Sequence, residues 1–122
     1  MGQLFFKLAM QQAIRAGTKR TTIRRWSTPR VRSGQRVYTP GLGWLQISAV
    51  DPIELSDLSD KDALADGFAT AKALRAALDE LYPDHRHDGK LWFRVLFEPD
   101  ALVPERAPAG ANQRRLFEEP QR

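Results

Sequence analysis

Ten consecutive residues, Gly17-Thr18-Lys19-Arg20-Thr21-Thr22-Ile23-Arg24-Arg25-Trp26, hold the densest chemistry in this chain. Four cations and threonine hydroxyls follow a turn glycine, at a place where a helix is expected to hand over to a strand, so side chains from both can converge. Lys and Arg bind phosphate as charged donors and Thr hydroxyls as neutral ones, which makes Lys19, Arg20, Thr21, Thr22, Arg24 and Arg25 candidate contacts to RNA or a nucleotide. The Gly and Lys spacing is not that of a Walker loop, whose order is strand then helix. Lys19 and Thr22 also make a candidate base and nucleophile: a lysine among Arg20, Arg24 and Arg25, partly desolvated, has its ammonium form disfavoured and can accept a hydroxyl proton. The plainer alternative is that both simply edge the strand. Trp26 offers either a stacking face for a base or a core side chain.

The second cluster, Asp84-His85-Arg86-His87-Asp88, has two imidazoles and two carboxylates. Arg86 between them opposes a cation and the stretch reads as a solvated turn, so no metal and no cofactor are expected.

What surrounds these residues is the composition of a soluble globular domain. The chain has 122 residues, 42% hydrophobic and 28% charged, enough for one packed core. It has no Cys, which excludes disulfides, thiolate zinc sites and a Cys nucleophile. No apolar run reaches the length of a membrane span and the first residues do not read as a secretion signal, so a cytoplasmic protein with no membrane partner is expected. Charge is unevenly placed. Residues 1–50 carry nine cations and no carboxylate, while residues 51–122 carry 15 carboxylates against ten cations. Such a basic block repels itself unless distant carboxylates or an anionic ligand offset it.

Apolar spacing through Phe6, Met10, Ala13 and Ile14 predicts an amphipathic helix over residues 4–16, stopped at Gly17. The β-branched Thr21-Thr22-Ile23 begins a strand that Ser27-Thr28-Pro29 breaks. Val37-Tyr38-Thr39 and Trp44–Val50 read as a hairpin across Pro40-Gly41-Leu42-Gly43. After Asp51-Pro52 the pattern turns helical: Ser59 with Asp62 starts a short helix ending near Gly67, and Thr70 caps a second, ended by Tyr82-Pro83. The unbroken run Leu91–Phe97 reads as a central strand buried on both faces or nearly so. Residues 1–103 are expected to form the domain and 104–122 a flexible tail, in which only Arg114–Phe117 could dock.

In order and spacing these features resemble the ASCH family, named for homology to activating signal cointegrator-1, within the PUA-like superfamily. Ala16–Arg24 looks like its Gly-x-Lys-x-x-Thr-x-Arg signature, Val31–Val37 like its Gly-then-strand element, and Ala65-Asp66-Gly67-Phe68 like its acid, glycine and aromatic between two helices; Leu81-Tyr82-Pro83 before a Trp/Phe-rich strand looks like its close. The resemblance implies an α+β, mainly β fold: a small PUA-like β-barrel with an N-terminal helix and two helices packed across it. It also implies a basic cleft for RNA or a nucleoside- or nucleotide-like ligand, lined by Lys19, Arg20, Thr21, Thr22, Arg24, Arg25 and Trp26. One branch of the family deacylates N4-acetylcytidine with a Lys, a Thr and a Glu. Lys19 and Thr22 match the first two, and Asp66 takes the third place across a one-residue gap, with a carboxylate one methylene shorter. Ligand binding is therefore the leading expectation and amidohydrolase activity the second.

Overall fold

The computed structural model describes residues 4–104, so Arg114–Phe117 and most of the expected tail lie outside the described residues. Helix α1 (Leu8–Arg15) is followed by strands β1 (Thr21–Trp26), β2 (Arg36–Thr39) and β3 (Gly43–Ile53). A 3-10 turn (Leu55–Asp57), helices α2 (Asp60–Asp66) and α3 (Ala71–Leu81), and strand β4 (Leu91–Leu102) complete the order. The strands form one antiparallel sheet in the order β1-β4-β3-β2, so the run Leu91–Phe97 is central as expected. The fold is α+β, mainly β, with a small barrel-like sheet.

The sheet curls because its two long strands fall out of register twice, between Trp44 and Leu45 and between Ile47 and Ala49. Curling brings both edges to one core. Trp26 of edge strand β1 and Val37 of edge strand β2 pack on the same cluster as Leu45, Ile47, Val95 and Phe97. A second cluster lies on the other face, where Ile23 of β1 and Trp92 of β4 meet Ala63, Ala71, Leu74 and Leu78 of the helices. Consecutive burial of Trp92 and Phe93 thus means one side chain for each face, while Leu91 and Leu96 stay well exposed, so the strand is less enclosed than its apolar run suggests.

Both helix caps read from sequence are present. The Ser59 hydroxyl accepts from the Asp62 N–H while the Asp62 carboxylate accepts from the Ser59 N–H, and the Thr70 hydroxyl accepts from the Ala73 N–H. The first helix begins four residues later than its apolar spacing predicts. Leu4 is fully buried in the barrel core, and the Phe5 carbonyl accepts from Arg24, so residues 4–7 are drawn out as an extended lead-in. Lys7 at the start of the helix makes no side-chain cap, and the Gln11 side-chain amide instead ties the lead-in to the first turn by donating to the Phe6 carbonyl at 2.9 Å.

Both long strands run past the ends read from sequence, through Pro52 and Pro99. Pro52 continues β3 opposite Phe93, past the end of β2, where one side of β3 is a free edge; Pro99 sits opposite Leu45 beside a bulge. At the hairpin turn, Gly43 has φ 121°, and a Cβ there would collide with the Ala101 carbonyl oxygen. Replacing Gly43 with Ala should therefore cost about 2–4 kcal/mol through backbone strain and overpacking, read as a lower urea midpoint at unchanged slope.

Candidate functional site

Strand pleating sorts the basic segment onto two faces. Thr21, Ile23 and Arg25 turn towards the helices, and Thr22, Arg24 and Trp26 away from them. Lys19 sits just before the strand, at the seam. The Arg20 N–H donates to the Ala65 carbonyl at 2.7 Å, which fixes the start of β1 against the end of α2. Gly67 then reverses the chain with φ 96°, a conformation that favours glycine, and the aliphatic stem of Lys19 passes over it.

This junction delivers Lys19 to Asp66. Nζ donates to Asp66 Oδ1 at 2.9 Å and to the Asp66 carbonyl at 2.7 Å, while the Thr21 hydroxyl donates to Oδ2 at 3.1 Å. Lys19 is 3% exposed and Asp66 4%. Burial pulls the Lys19 ammonium below its ordinary pKa despite the attraction of Asp66, with Arg24 pushing the same way. Burial likewise lifts the Asp66 carboxyl above its ordinary value, against the opposing pull of Lys19 and Thr21. Burial thus displaces both partners towards neutrality, and their mutual attraction opposes that displacement.

Thr22 is also buried, and its hydroxyl accepts from Arg24 Nε at 3.0 Å. That bond uses an oxygen lone pair and leaves the hydroxyl proton without a protein acceptor among the described residues. Arg24 is fixed further by donating Nη2 to the Phe5 carbonyl at 2.8 Å and by lying 5.0 Å from the centroid of the Phe6 ring. Lys19, Thr22, Arg24 and Asp66 all line one cavity of about 620 Å³, whose apolar walls include Phe5, Phe6, Phe68 and Tyr82. A volume and lining of this kind suit a small planar ligand.

The other expected contacts lie elsewhere. Arg20 is exposed, and its side chain has no protein partner among the described residues. Arg25 faces the opposite side, where it pairs with Asp88 at 3.0 Å, donates to the His85 carbonyl at 2.6 Å and lies 4.7 Å from the centroid of Trp92. The hydrogen bond from Arg25 holds the Asp88 carboxyl below its ordinary pKa. A cavity of about 710 Å³ lies there, larger than the first but without Lys19, Thr22 or Asp66. Trp26 packs on Phe93 with ring centroids 6.0 Å apart and on the barrel core, the structural one of its two readings. His85 is more embedded than a solvated turn implies: it contacts Asp79 Oδ1 at 2.7 Å and packs on Trp92. The aromatic walls at Phe5, Phe6 and Tyr82 carried no functional signal in sequence, because two fell in an expected helix and the third read as a helix stop.

Three comparisons bear on this arrangement. No family model matches the chain, and no curated protein matches it in sequence. Solved structures do match. A protein of Enterococcus faecalis assigned to DUF984 superposes with a TM-score of 0.66 at 14% identity, over 88% of this chain and 86% of that one. Hypothetical protein PH0355 gives 0.68 at 14% identity, over 80% and 97%. A mutant of ZmASCH, the ASCH protein of Zymomonas mobilis, gives 0.58 at 12% identity, over 93% and 78%. At such identities the likeness is one of fold, and the chain therefore has an ASCH-type fold.

The buried pair sets a stability test. Lys19→Met leaves Asp66 buried without its cation and should cost about 3–5 kcal/mol, whereas Lys19→Met combined with Asp66→Leu should recover most of that loss. Urea denaturation of the two variants and the parent measures both, and equal losses would mean that the pair is not what holds α2 against β1.

Proposed function

We propose that this ASCH-type domain binds a nucleoside-like ligand, one base at a time, in the cavity lined by Lys19, Thr22, Arg24 and Asp66. The observation that carries the reading is a buried, hydrogen-bonded polar cluster opening on a cavity with aromatic walls. The volume suits one nucleoside, and Lys19 at 3% exposure is too deep to serve as a phosphate contact on the surface of a polymer. A base unstacked from single-stranded RNA presents the same plane and edges as a free nucleoside, with the exposed Lys7 on the cavity rim to meet its backbone. Calorimetry with cytidine, N4-acetylcytidine and a short single-stranded RNA tests the reading. Competition between nucleoside and RNA is expected, with only the RNA affinity falling steeply as salt rises. Failure of all three to bind at low salt rejects the reading.

One observation favours hydrolysis as a second reading: the free hydroxyl proton of Thr22 shares a cavity with a lysine that burial pushes towards its neutral form. In a deacylation, Thr22 Oγ1 would bond to the amide carbon as neutral Lys19 takes the hydroxyl proton. Collapse would break the C–N bond and return that proton to the leaving amine, and water would then cleave the threonyl ester to carboxylic acid and free Thr22. Asp66 would hold the lysine in place.

The base form of Lys19 grows as pH rises, so kcat/KM for N4-acetylcytidine should climb with an apparent pKa below 10.5, a value belonging to the Lys19–Asp66 pair. A flat profile sinks Lys19 as the base. Lys19→Ala and Thr22→Ala should each remove nearly all turnover. Nζ already meets Oδ1 at 2.9 Å, so carboxylate reach is not limiting and Asp66→Glu should lower the rate by crowding a buried site. Absence of cytidine release at every pH rejects hydrolysis of this substrate and leaves binding intact.

A further inference from the structure

The larger cavity, of about 710 Å³, shares no lining residue with the cavity of Lys19 and Thr22. Neighbouring residues of a strand face opposite ways, so Arg24 lines one and Arg25 the other. Segments distant in sequence converge on it. Arg25 comes from β1, Arg75 from α3, Arg86 and Lys90 from the loop between α3 and β4, and Ser56 from the 3-10 turn.

Arg25 is the fixed point of this cavity. Its side chain is 9% exposed, Nε and Nη2 donate to the Asp88 carboxylate, and Nη2 donates to the His85 carbonyl at 2.6 Å. Nη1 has no acceptor among the described residues. It stays open to solvent, since the Thr39 hydroxyl is the only sealed polar side-chain atom among them that lacks a partner. A donor held at its other two nitrogens keeps its orientation before any acceptor arrives, so little order is lost when one binds. The remaining cations are less committed. Arg75 uses Nη1 alone, on the Leu58 carbonyl at 3.3 Å, and the side chains of exposed Arg86 and Lys90 have no protein partner among the described residues.

Two carboxylates share the lining: Asp79, held by His85 Nε2 at 2.7 Å, and exposed Glu54. Asp88 offsets Arg25, which leaves Arg75, Arg86 and Lys90 against these two and the surplus positive. Trp92 offers no open face for a base to stack on, because it is 6% exposed with Arg25 4.7 Å and His85 5.2 Å from its ring. Two guanidinium forks, an ammonium and a hydroxyl instead suit the three oxygens of a phosphate monoester, whose charge is about −2 near neutral pH. Such a group fills only part of the volume, and the apolar walls at Ile53, Leu55 and Leu91 remain for the rest of the molecule.

We propose that this cavity is a second binding site, for the phosphate monoester of a small molecule, with Arg25 Nη1 as its fixed donor and Arg75, Arg86 and Lys90 around it. The site is independent of the nucleoside reading.

Phenyl phosphate is the probe, titrated at low salt into the isotope-labelled full chain while the indole N–H signals of Trp44 and Trp92 are followed. The Trp92 signal should shift to saturation and that of Trp44, which is outside the cavity, should not. Arg86→Ser combined with Lys90→Ser removes two exposed cations and should weaken binding about tenfold. Arg25→Lys keeps a charge facing Asp88 but loses the fork, and should weaken it by a similar factor. Dimethyl phosphate, a singly charged diester, and succinate, a dianion without a phosphoryl group, should each bind about tenfold more weakly than phenyl phosphate. A Trp92 signal that does not move overturns the proposal, as does an affinity unchanged in either folded variant. If Arg24→Met abolishes binding instead, the phosphate lies beside Thr22 and the proposal fails. Dimethyl phosphate binding as tightly as phenyl phosphate would assign the site to a nucleic-acid backbone, and succinate doing so would reduce it to general anion attraction; both results overturn it. The urea midpoint establishes that each variant is folded before affinities are compared.

Discussion

One buried ion pair constrains most of what surrounds it. Lys19 and Asp66 come from different elements, are both almost fully desolvated, and meet at 2.9 Å. Taking two charges out of water costs several kcal/mol each, and only close geometry with the remaining valences satisfied repays it. The chain meets that condition with short local devices. Gly67 turns so that the Asp66 carbonyl joins its carboxylate in facing Nζ, the Arg20 amide anchors β1 to the end of α2, and Thr21 takes the second carboxylate oxygen. In a pair this well shielded from water, burial disfavours the ammonium form of Lys19 while Asp66 favours it.

The uneven charge of the chain acquires a structural meaning from the same principle. Lys19–Asp66, Arg25–Asp88 and Arg36–Asp100 each join a cation from the basic first part to a carboxylate from the acidic remainder. Distant carboxylates are therefore what relieves the self-repulsion of the basic block, and much of the density between Arg15 and Arg36 belongs to folding. Arg15 follows suit, donating to the carbonyls of Val103 and Gly41 to hold the end of β4 near the β2–β3 turn. Composition alone cannot tell a cation kept for a ligand from one matched across the fold.

That distinction marks how far the sequence was legible. Local signals read correctly: the Ser59–Asp62 capping box, the Thr70 cap, the hairpin and the central strand each follow from a few adjacent residues. Lys19, Thr22 and Asp66 were legible through a family resemblance and do line one cavity. What failed depended on contacts remote in sequence. Helical spacing at residues 4–7 lost to the burial of Leu4, Pro52 and Pro99 were tolerated where a strand edge was free or a bulge intervened, and Arg25 and Trp26 were taken by Asp88 and Phe93. Alternation along β1 could have separated Arg24 from Arg25, since neighbours on a strand face opposite ways. It could not have said which face carries the cavity.

Arg24 ties these threads into one argument about how the site is held. Its Nε orients Thr22, its Nη2 holds the backbone of the lead-in that forms the Phe5 and Phe6 wall, and its charge adds to the forces displacing the Lys19 ammonium. The hydroxyl, the wall and the lysine are thus not independent. A ligand large enough to move Phe5 must strain or break the Nη2 bond, which loosens the guanidinium that orients Thr22. A ligand that fits beneath Phe5 leaves all of these in place and adds its own contacts. In the proposed ligand site, discrimination by size would then arise from the fold without any side chain dedicated to exclusion, because a poor fit would cost the protein hydrogen bonds it already has.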